Sequence, residues 1–135
     1  MPKKLAFTIS KDPVVVVLLY YIYILFPLCL QQKCDQYWPK SGLLGIYGRL
    51  QVALVCQDVQ ESYTLRVLRL KLLRIEGENQ LVDDQDCPER DVLHFQYTAW
   101  PDHGTPETAG QLLAFIQKSS QSSRDTDGPI VVHCR

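Results

Sequence analysis

The chain has 135 residues, of which 46% are hydrophobic and 21% are charged, a composition that is ordinary for one modest globular domain. Its 14 Lys and Arg residues against 15 Asp and Glu residues give a net charge of -1. No overall field therefore favours nucleic acid or an anionic membrane surface as a partner, and any site for an anionic ligand must be local.

The five cysteines are odd in number, and no two of them stand in a Cys-x-x-Cys pair. We expect free thiols in a reducing, cytoplasmic compartment rather than a disulfide framework or a zinc site. No metal and no cofactor is predicted. The cysteines are Cys29, Cys34, Cys56, Cys87 and Cys134.

Residues 1–32 form an atypical hydrophobic segment. Residues 14–26 are uncharged, and the apolar run resumes after Pro27. The run lies at the lower edge of the about 17 to 25 residues that span a bilayer, and lysines precede it as they precede a signal anchor. Four consecutive valines and three tyrosines instead favour a buried β-strand that Pro27 would end. Two alternatives stay open: a membrane anchor over Val14–Leu30, or a buried or misassembled segment.

The next part of the chain shows the pattern of a mixed α/β domain. Leu50–Val55 is a short apolar strand, and Tyr63–Ile75 alternates apolar with basic residues. We expect the two to pair as antiparallel neighbours across a turn at Gln57–Ser62. A phase slip at Val67–Leu68 indicates a bulge in the second strand.

A loop and a further strand follow. Glu76–Arg90 is acidic and polar, which predicts a surface loop. Val92–Trp100 alternates cleanly, which predicts a strand that leads directly into the turn Trp100-Pro101-Asp102. One side of this strand carries Leu93, Phe95, Tyr97 and Ala99, and the other carries His94, Gln96 and Thr98.

A helix is predicted after this turn. Thr105 can cap it, Pro106 suits its first position, and it ends near Lys118. Residues 119–128 are typical of a polar, serine-rich connection. Pro129–His133 is apolar without alternation, which predicts a central buried strand. The predicted apolar stripe of the helix consists of Ala109, Leu112, Leu113 and Ile116.

Cys134 follows this last strand directly. A loop and a helix amino terminus at the carboxyl end of a strand can bind phosphate through backbone amides. Such an environment lowers the pKa of a thiol and makes the cysteine a nucleophile near neutral pH. A buried structural cysteine is the alternative that these residues alone leave open.

Asp102 stands in a turn that is bounded by prolines. Pro101 and Pro106 fix the backbone on both sides, while Gly104 permits motion between them. Such a loop could swing an acid over a bound phosphate. An ordinary Asp-His-Gly turn at the head of a helix is the alternative.

Three segments together resemble the classical, tyrosine-specific protein-tyrosine phosphatases. Lys33–Pro39 is similar to that family's Lys-Cys-x-x-Tyr-Trp-Pro segment, His94–Pro106 to its acid loop, and Gly128–Cys134 to the strand that enters its phosphate loop. Their order and spacing agree as well. The resemblance implies an α/β (α+β) fold with a mixed, highly twisted sheet flanked by helices, of which residues 33–135 form an incomplete domain.

The resemblance also implies a reaction, the dephosphorylation of phosphotyrosine-containing proteins through a cysteinyl-phosphate. Cys134 would attack phosphorus, and Asp102 would protonate the departing tyrosine oxygen and then activate water. His133 would orient the thiolate and support it electrostatically. Trp100 and Pro101 would anchor the hinge of the acid loop.

Three further residues are expected to have structural roles. Tyr37 and Trp38 should pack in the core rather than contact a substrate, because aromatic residues near strands usually fill volume. Arg66 resembles a basic position that the family keeps in its following strand.

One departure from the family pattern concerns catalysis. The family's phosphate loop has an arginine six positions after its cysteine, and these 135 residues contain none there; Arg135 is adjacent to Cys134 and cannot replace it. We therefore expect the chain by itself to be inactive. The alternative function is that of a catalytically inactive, truncated form that acts as a binding or regulatory protein and that could reach a membrane through Val14–Leu30.

Overall fold

The computed structural model describes residues 14–18, 23–26, 29–32, 36–78, 80–101, 104–124 and 128–133. In chain order the described elements are β1 (Val14–Leu18), β2 (Tyr23–Phe26), β3 (Cys29–Gln32), β4 (Leu44–Tyr47), β5 (Leu50–Val59), β6 (Tyr63–Leu72), β7 (Arg74–Glu76), β8 (Gln80–Val82), β9 (Glu89–Tyr97), α1 (Gly110–Arg124) and β10 (Ile130–His133).

Six of these strands form one mixed sheet in the order β10-β1-β9-β6-β5-β4. The pairs β4–β5, β5–β6 and β6–β9 are antiparallel, whereas β1 runs parallel to both β9 and β10. The pairs β2–β3 and β7–β8 each form a two-stranded sheet. The predicted mixed sheet with helical cover is therefore confirmed, with one helix among the described residues.

Each face of the sheet has its own core of buried residues. On one face Trp38 packs with buried residues of β6 and β9, namely Leu68, Leu70 and Val92. On the other face α1 covers the sheet, and its Phe115 packs with Phe95 and Tyr97. Because side chains of a strand alternate between faces, a strand between two cores has apolar residues on both.

The apolar phase slip at Val67–Leu68 marks the point where β6 changes from one core to the other. Tyr63 and Leu65 pack with the core beneath α1, whereas Leu68 belongs to the core around Trp38. Strand β6 itself is continuous. The bulge lies in its partner, because Leu54 pairs with Leu68 and Cys56 pairs with Val67, which leaves Val55 as the extra residue of β5. The predicted antiparallel pairing is confirmed, but the predicted position of the bulge is wrong.

The prediction of a loop over Glu76–Arg90 is wrong in part. The chain turns at Gly77, which has a φ of 57°, and β8 then pairs with β7 as a short hairpin. Strand β9 begins at Glu89, before the predicted end of the loop. Ion pairs of Lys71 with Asp83 and of Arg74 with Asp84 accompany this hairpin. Its strands have only three residues each, which is too short for an alternation to predict them.

The helix differs from its prediction at both ends. It begins at Gly110 rather than Pro106, and it continues to Arg124, through half of the predicted connection at residues 119–128. The serines of its last turns donate their hydroxyl hydrogens to carbonyl oxygens of the preceding turn. These bonds satisfy their side chains within the helix, so the serine-rich sequence does not break it.

The predicted apolar stripe of α1 is also wrong in part. Leu112 contacts the core beneath the helix, and Phe115 and Ser119 are buried. By contrast, Leu113 is 61% exposed and Ile116 is 46% exposed. The buried face of α1 therefore consists of positions 112, 115 and 119, which have helical spacing. The sequence did not predict this face because Ser119 is polar.

Strand β10 forms where it was predicted, but its predicted central position is wrong for the sheet as described. It pairs with β1 along one edge and ends the strand order. Ile130 and Val132 are 47% and 58% exposed. Both lie on the same side of the strand, and no described element covers them.

The amino-terminal segment contributes three strands. Strand β1 lies between β9 and β10, and β2 ends at Phe26, directly before Pro27. Among the residues that the structure describes, no helix is long and apolar enough to cross a membrane. These strands agree with the strand alternative for Val14–Leu30. The boundary between residues 1–32 and residues 33–135 stays a prediction.

Candidate active site

The segment that carries Tyr37 and Trp38 places the two aromatic rings in different surroundings. Trp38 is buried, as predicted, and its ring centroid lies 4.9 Å from that of His94. Tyr37 is 43% exposed. Its predicted place in the core is therefore wrong, because its hydroxyl makes polar contacts at the edge of that core.

The Tyr37 hydroxyl joins two histidines from different strands. It lies 2.9 Å from Nε2 of His94, in β9, and 2.8 Å from Nε2 of His133, the last residue of β10. The candidate nucleophile is the next residue after His133 in the sequence. One phenol thus fixes the strand end from which the predicted nucleophile follows.

His94 is fully buried, with an exposed fraction of 0%. Its pKa is lowered from 6.5 to about 3, mainly by burial and in addition by the nearby Arg66 and His133. The ring is therefore neutral at physiological pH and carries one proton, on one of its two nitrogens.

Arg66 fills the space behind His94 and is 93% removed from solvent, with an exposed fraction of 7%. Its Nε donates to Gln57 Oε1 and its Nη1 to Gln96 Oε1, each at 2.8 Å, and Nη1 lies 3.4 Å from His94 Nδ1. The guanidinium also lies over the Trp38 ring, 4.4 Å from its centroid. These contacts agree with the predicted structural role of Arg66.

The surroundings of Arg66 shift the pKa of its guanidinium but leave the group charged. Burial lowers the pKa of the guanidinium, and Tyr37 acts in the opposite direction. A guanidinium remains protonated in proteins and can only donate hydrogen bonds. Arg66 is therefore a buried cation whose donors point at amide oxygens and at one ring nitrogen.

The acid loop is attached to the sheet at its first residues. Thr98 N donates to Ser62 O at 2.8 Å, and half-buried Trp100 packs against the core beneath α1. Pro101 is half-buried, and Gly104 has a φ of 77°, a conformation that favours glycine. The anchoring of the loop hinge through Trp100 and Pro101 stays a prediction.

Several predicted residues fall outside the part of the chain that the structure describes. Asp102 and Cys134 are among them, so their predicted roles stay predictions. Among the described residues, no group of three or more His, Cys, Asp or Glu side chains could hold a metal ion.

The sequence interpretation missed the roles of His94, Gln96 and Gln57. A signal was present, because His94 and Gln96 occupy one face of an alternating strand whose other face is apolar. Arg66 stands opposite His94 in the register of β6 and β9. Polar residues that face each other on two central strands predict a buried polar network.

Comparison with known proteins identifies the family. A model of the family described as protein-tyrosine phosphatase matches residues 16–135.

The chain belongs to the protein-tyrosine phosphatase family.

Its relatives include proteins of very different length. Tyrosine-protein phosphatase 99A of Drosophila melanogaster is 43% identical over 105 residues, which cover 77% of this chain and 8% of that protein. Receptor-type tyrosine-protein phosphatase S of Gallus gallus is 41% identical over 76% of this chain and 6% of its own length. Tyrosine-protein phosphatase 7 of Styela plicata is 39% identical over 76% of this chain and 86% of its own length. The phosphatase chain therefore spans less than a tenth of the first two relatives.

Proposed function

We propose that this phosphatase chain supplies the nucleophile and the general acid for hydrolysis of phosphotyrosine in proteins. The observation that carries the proposal is the 2.8 Å contact between the Tyr37 hydroxyl and His133 Nε2. This contact holds His133, the residue before Cys134, against a buried polar network at the carboxyl end of β10. That position suits a nucleophile that needs a defined electrostatic environment.

The proposed roles follow the chemistry of each side chain. The Cys134 thiolate attacks phosphorus, a sulfur–phosphorus bond forms, and the bond to the tyrosine oxygen breaks. The Asp102 carboxylic acid gives its proton to that oxygen, and the resulting carboxylate takes a proton from the water that releases phosphate. Positioned acid and base catalysis of this kind contributes about 10²- to 10⁴-fold.

The developing charge on phosphate needs donors as well as a nucleophile. The 135 residues contain no arginine six positions after Cys134. One oxyanion donor alone is typically worth about 10²- to 10³-fold in rate. We propose that a polypeptide of these 135 residues alone turns over too slowly to measure, and that a family phosphate loop joined after Cys134 permits turnover.

The test compares two polypeptides with an aryl phosphate and with a phosphotyrosine peptide. The 135-residue chain should show no hydrolysis above its Cys134→Ser variant. The same residues, joined to a family phosphate loop and the part of the domain that follows it, should hydrolyse both substrates and lose all turnover on Cys134→Ser. Asp102→Asn should lower kcat by about 10²- to 10⁴-fold. Turnover by the joined polypeptide that survives Cys134→Ser contradicts the proposed function.

Phosphotyrosine-containing proteins are the proposed partners, and the cytoplasm is the proposed compartment of this part of the protein. Cys56 is exposed and Cys87 is buried, and both are free thiols in the structure. An exposed thiol suits a reducing compartment.

A further inference from the structure

A chain of polar contacts runs from the middle of the sheet to the end of β10. It begins at Arg66, passes through His94 and Tyr37, and ends at His133. Its first two members are buried, with exposed fractions of 7% and 0%. The order of donors and acceptors along it can be derived from the chemistry of the groups.

The buried cation determines where the His94 ring carries its proton. Because a guanidinium only donates, the His94 Nδ1 atom that faces Arg66 Nη1 presents its lone pair. A neutral imidazole has one N–H, so Nε2 carries the proton. Nε2 lies 2.9 Å from the Tyr37 oxygen and donates to it.

The Tyr37 hydroxyl then has a defined direction. Its oxygen accepts from His94, and its own hydrogen is directed to the second ring nitrogen in reach, Nε2 of His133 at 2.8 Å. His133 Nε2 thus accepts, and Nδ1 is the nitrogen of that ring that carries the proton. In water a histidine side chain exchanges between both tautomers, so this order depends on the chain of contacts.

We infer that Arg66 and His94 are positioning residues of the phosphatase, which act through Tyr37 to hold His133 in its Nδ1–H tautomer beside the candidate nucleophile. This inference rests on the proposed function for its consequence, but the tautomer itself does not require turnover. Arg66 and His94 touch no substrate in this account.

The alternative explanation is that these residues only fill the core. His94 is surrounded by the Trp38 and Tyr37 rings, and an aromatic side chain of similar size could pack there. If His94 only fills the core, a side chain of similar shape can replace it. If it positions Tyr37, its replacement must have one hydrogen-bond acceptor toward Arg66 and one donor toward Tyr37. Substitutions can separate these requirements.

The experiment measures the nitrogen chemical shifts of the His133 ring by NMR in the 135-residue chain, near pH 7.5. His94→Phe keeps the ring shape and removes both polar atoms. His94→Gln offers an amide oxygen toward Arg66 and an amide N–H toward Tyr37. We expect unchanged His133 shifts in His94→Gln and a shift toward the Nε2–H tautomer in His94→Phe. Unchanged His133 shifts in a folded His94→Phe chain overturn the inference.

Tyr37→Phe provides a second test at a half-exposed position, where folding is less sensitive. It should shift His133 toward the Nε2–H tautomer, whereas the matched Tyr63→Phe variant on the opposite face should leave the shifts unchanged. Unchanged His133 shifts in Tyr37→Phe overturn the inference even where His94→Phe does not fold.

A chemical readout connects the tautomer to the nucleophile. The rate of Cys134 alkylation, followed against pH by peptide mass spectrometry, reports its thiolate fraction. We expect Tyr37→Phe and His94→Phe to move the midpoint of this profile upward by about 0.5 pH unit or more, and His94→Gln to leave it in place. Tautomer changes without any change of midpoint contradict the positioning role. A joined polypeptide without Cys134-dependent turnover contradicts the proposed function alone.

Discussion

The hydroxyl of Tyr37 lies 2.8 Å from Nε2 of His133, and the two residues are 96 positions apart in the chain. This contact joins the segment before β4 to the end of β10. Tyr37 also packs edge-on against Trp38, with ring centroids 5.1 Å apart. The residue before the candidate nucleophile is thereby connected to the core around Trp38.

This contact should have a measurable coupling energy. Tyr37→Phe and His133→Ala each remove one side of it, and a double-mutant cycle isolates their interaction. We expect a coupling of about 1 kcal/mol in the free energy of unfolding, which is typical for a hydrogen bond between side chains. Urea unfolding of the wild type, both single variants and the double variant gives this value. Strict additivity of the two substitutions would show that the contact does not contribute.

The buried guanidinium should matter more than an exposed one on the same strand. Arg66→Met removes the donors to Gln57 and Gln96 and takes this charged donor away from the amide oxygen of Gln96, which is buried. We expect a loss of about 2–4 kcal/mol in the free energy of unfolding. Arg69→Gln is the matched control, because its ion pair with Asp91 is exposed and should contribute little. Equal losses for the two variants in urea unfolding would contradict this ranking.

His94 should make the protein sensitive to mild acid. The unfolded chain protonates this imidazole below its ordinary pKa of 6.5, whereas the folded chain holds it neutral down to about 3. The unfolded state therefore binds more protons in this window. The contribution of neutral His94 to the free energy of unfolding is fully present above pH 6.5. It falls by up to about 1.4 kcal/mol per pH unit as the pH decreases below that value.

The His94→Gln variant isolates this contribution. We expect the difference in unfolding free energy between wild type and variant to change steeply from pH 6.5 to pH 5, in favour of the variant at the lower pH. This range lies above the titration of ordinary carboxyl groups. A difference that does not vary with pH would mean that His94 is not held neutral.

The two faces of α1 should respond differently to truncation. Phe115 is 1% exposed and packs against Tyr63, Phe95 and Tyr97. We expect Phe115→Ala to lower the free energy of unfolding by about 3–5 kcal/mol. Leu113→Ala, at a position that is 61% exposed, should change it by less than about 0.5 kcal/mol. A larger effect at Leu113 would contradict the orientation of the helix.

The sequence predicted the elements in which buried residues recur at regular positions along the chain. Strand β9 was predicted from its alternation, and the hairpin of β5 and β6 from two apolar runs across a short turn. The three family segments also identified the fold class. Each of these signals arises locally, from residues that are close in the chain.

Other features depend on partners that are distant in the chain. The bulge at Val55 becomes visible only through the register with Val67 and Leu68. The hairpin of β7 and β8 has strands of only three residues, and its cross-strand apolar pair, Ile75 with Leu81, is exposed. The role of Tyr37 depends on two histidines from β9 and β10, which the sequence alone does not bring together.

Isolation of the phosphorylated intermediate tests most directly whether Cys134 is the nucleophile. The chain joined to a family phosphate loop is mixed with a ³²P-labelled phosphotyrosine peptide, quenched within the first turnover and mapped by mass spectrometry. We predict one phosphate on the sulfur of Cys134 and no labelled protein in the Cys134→Ser variant. Label on another residue, or phosphate release from the Cys134→Ser variant, would contradict the account.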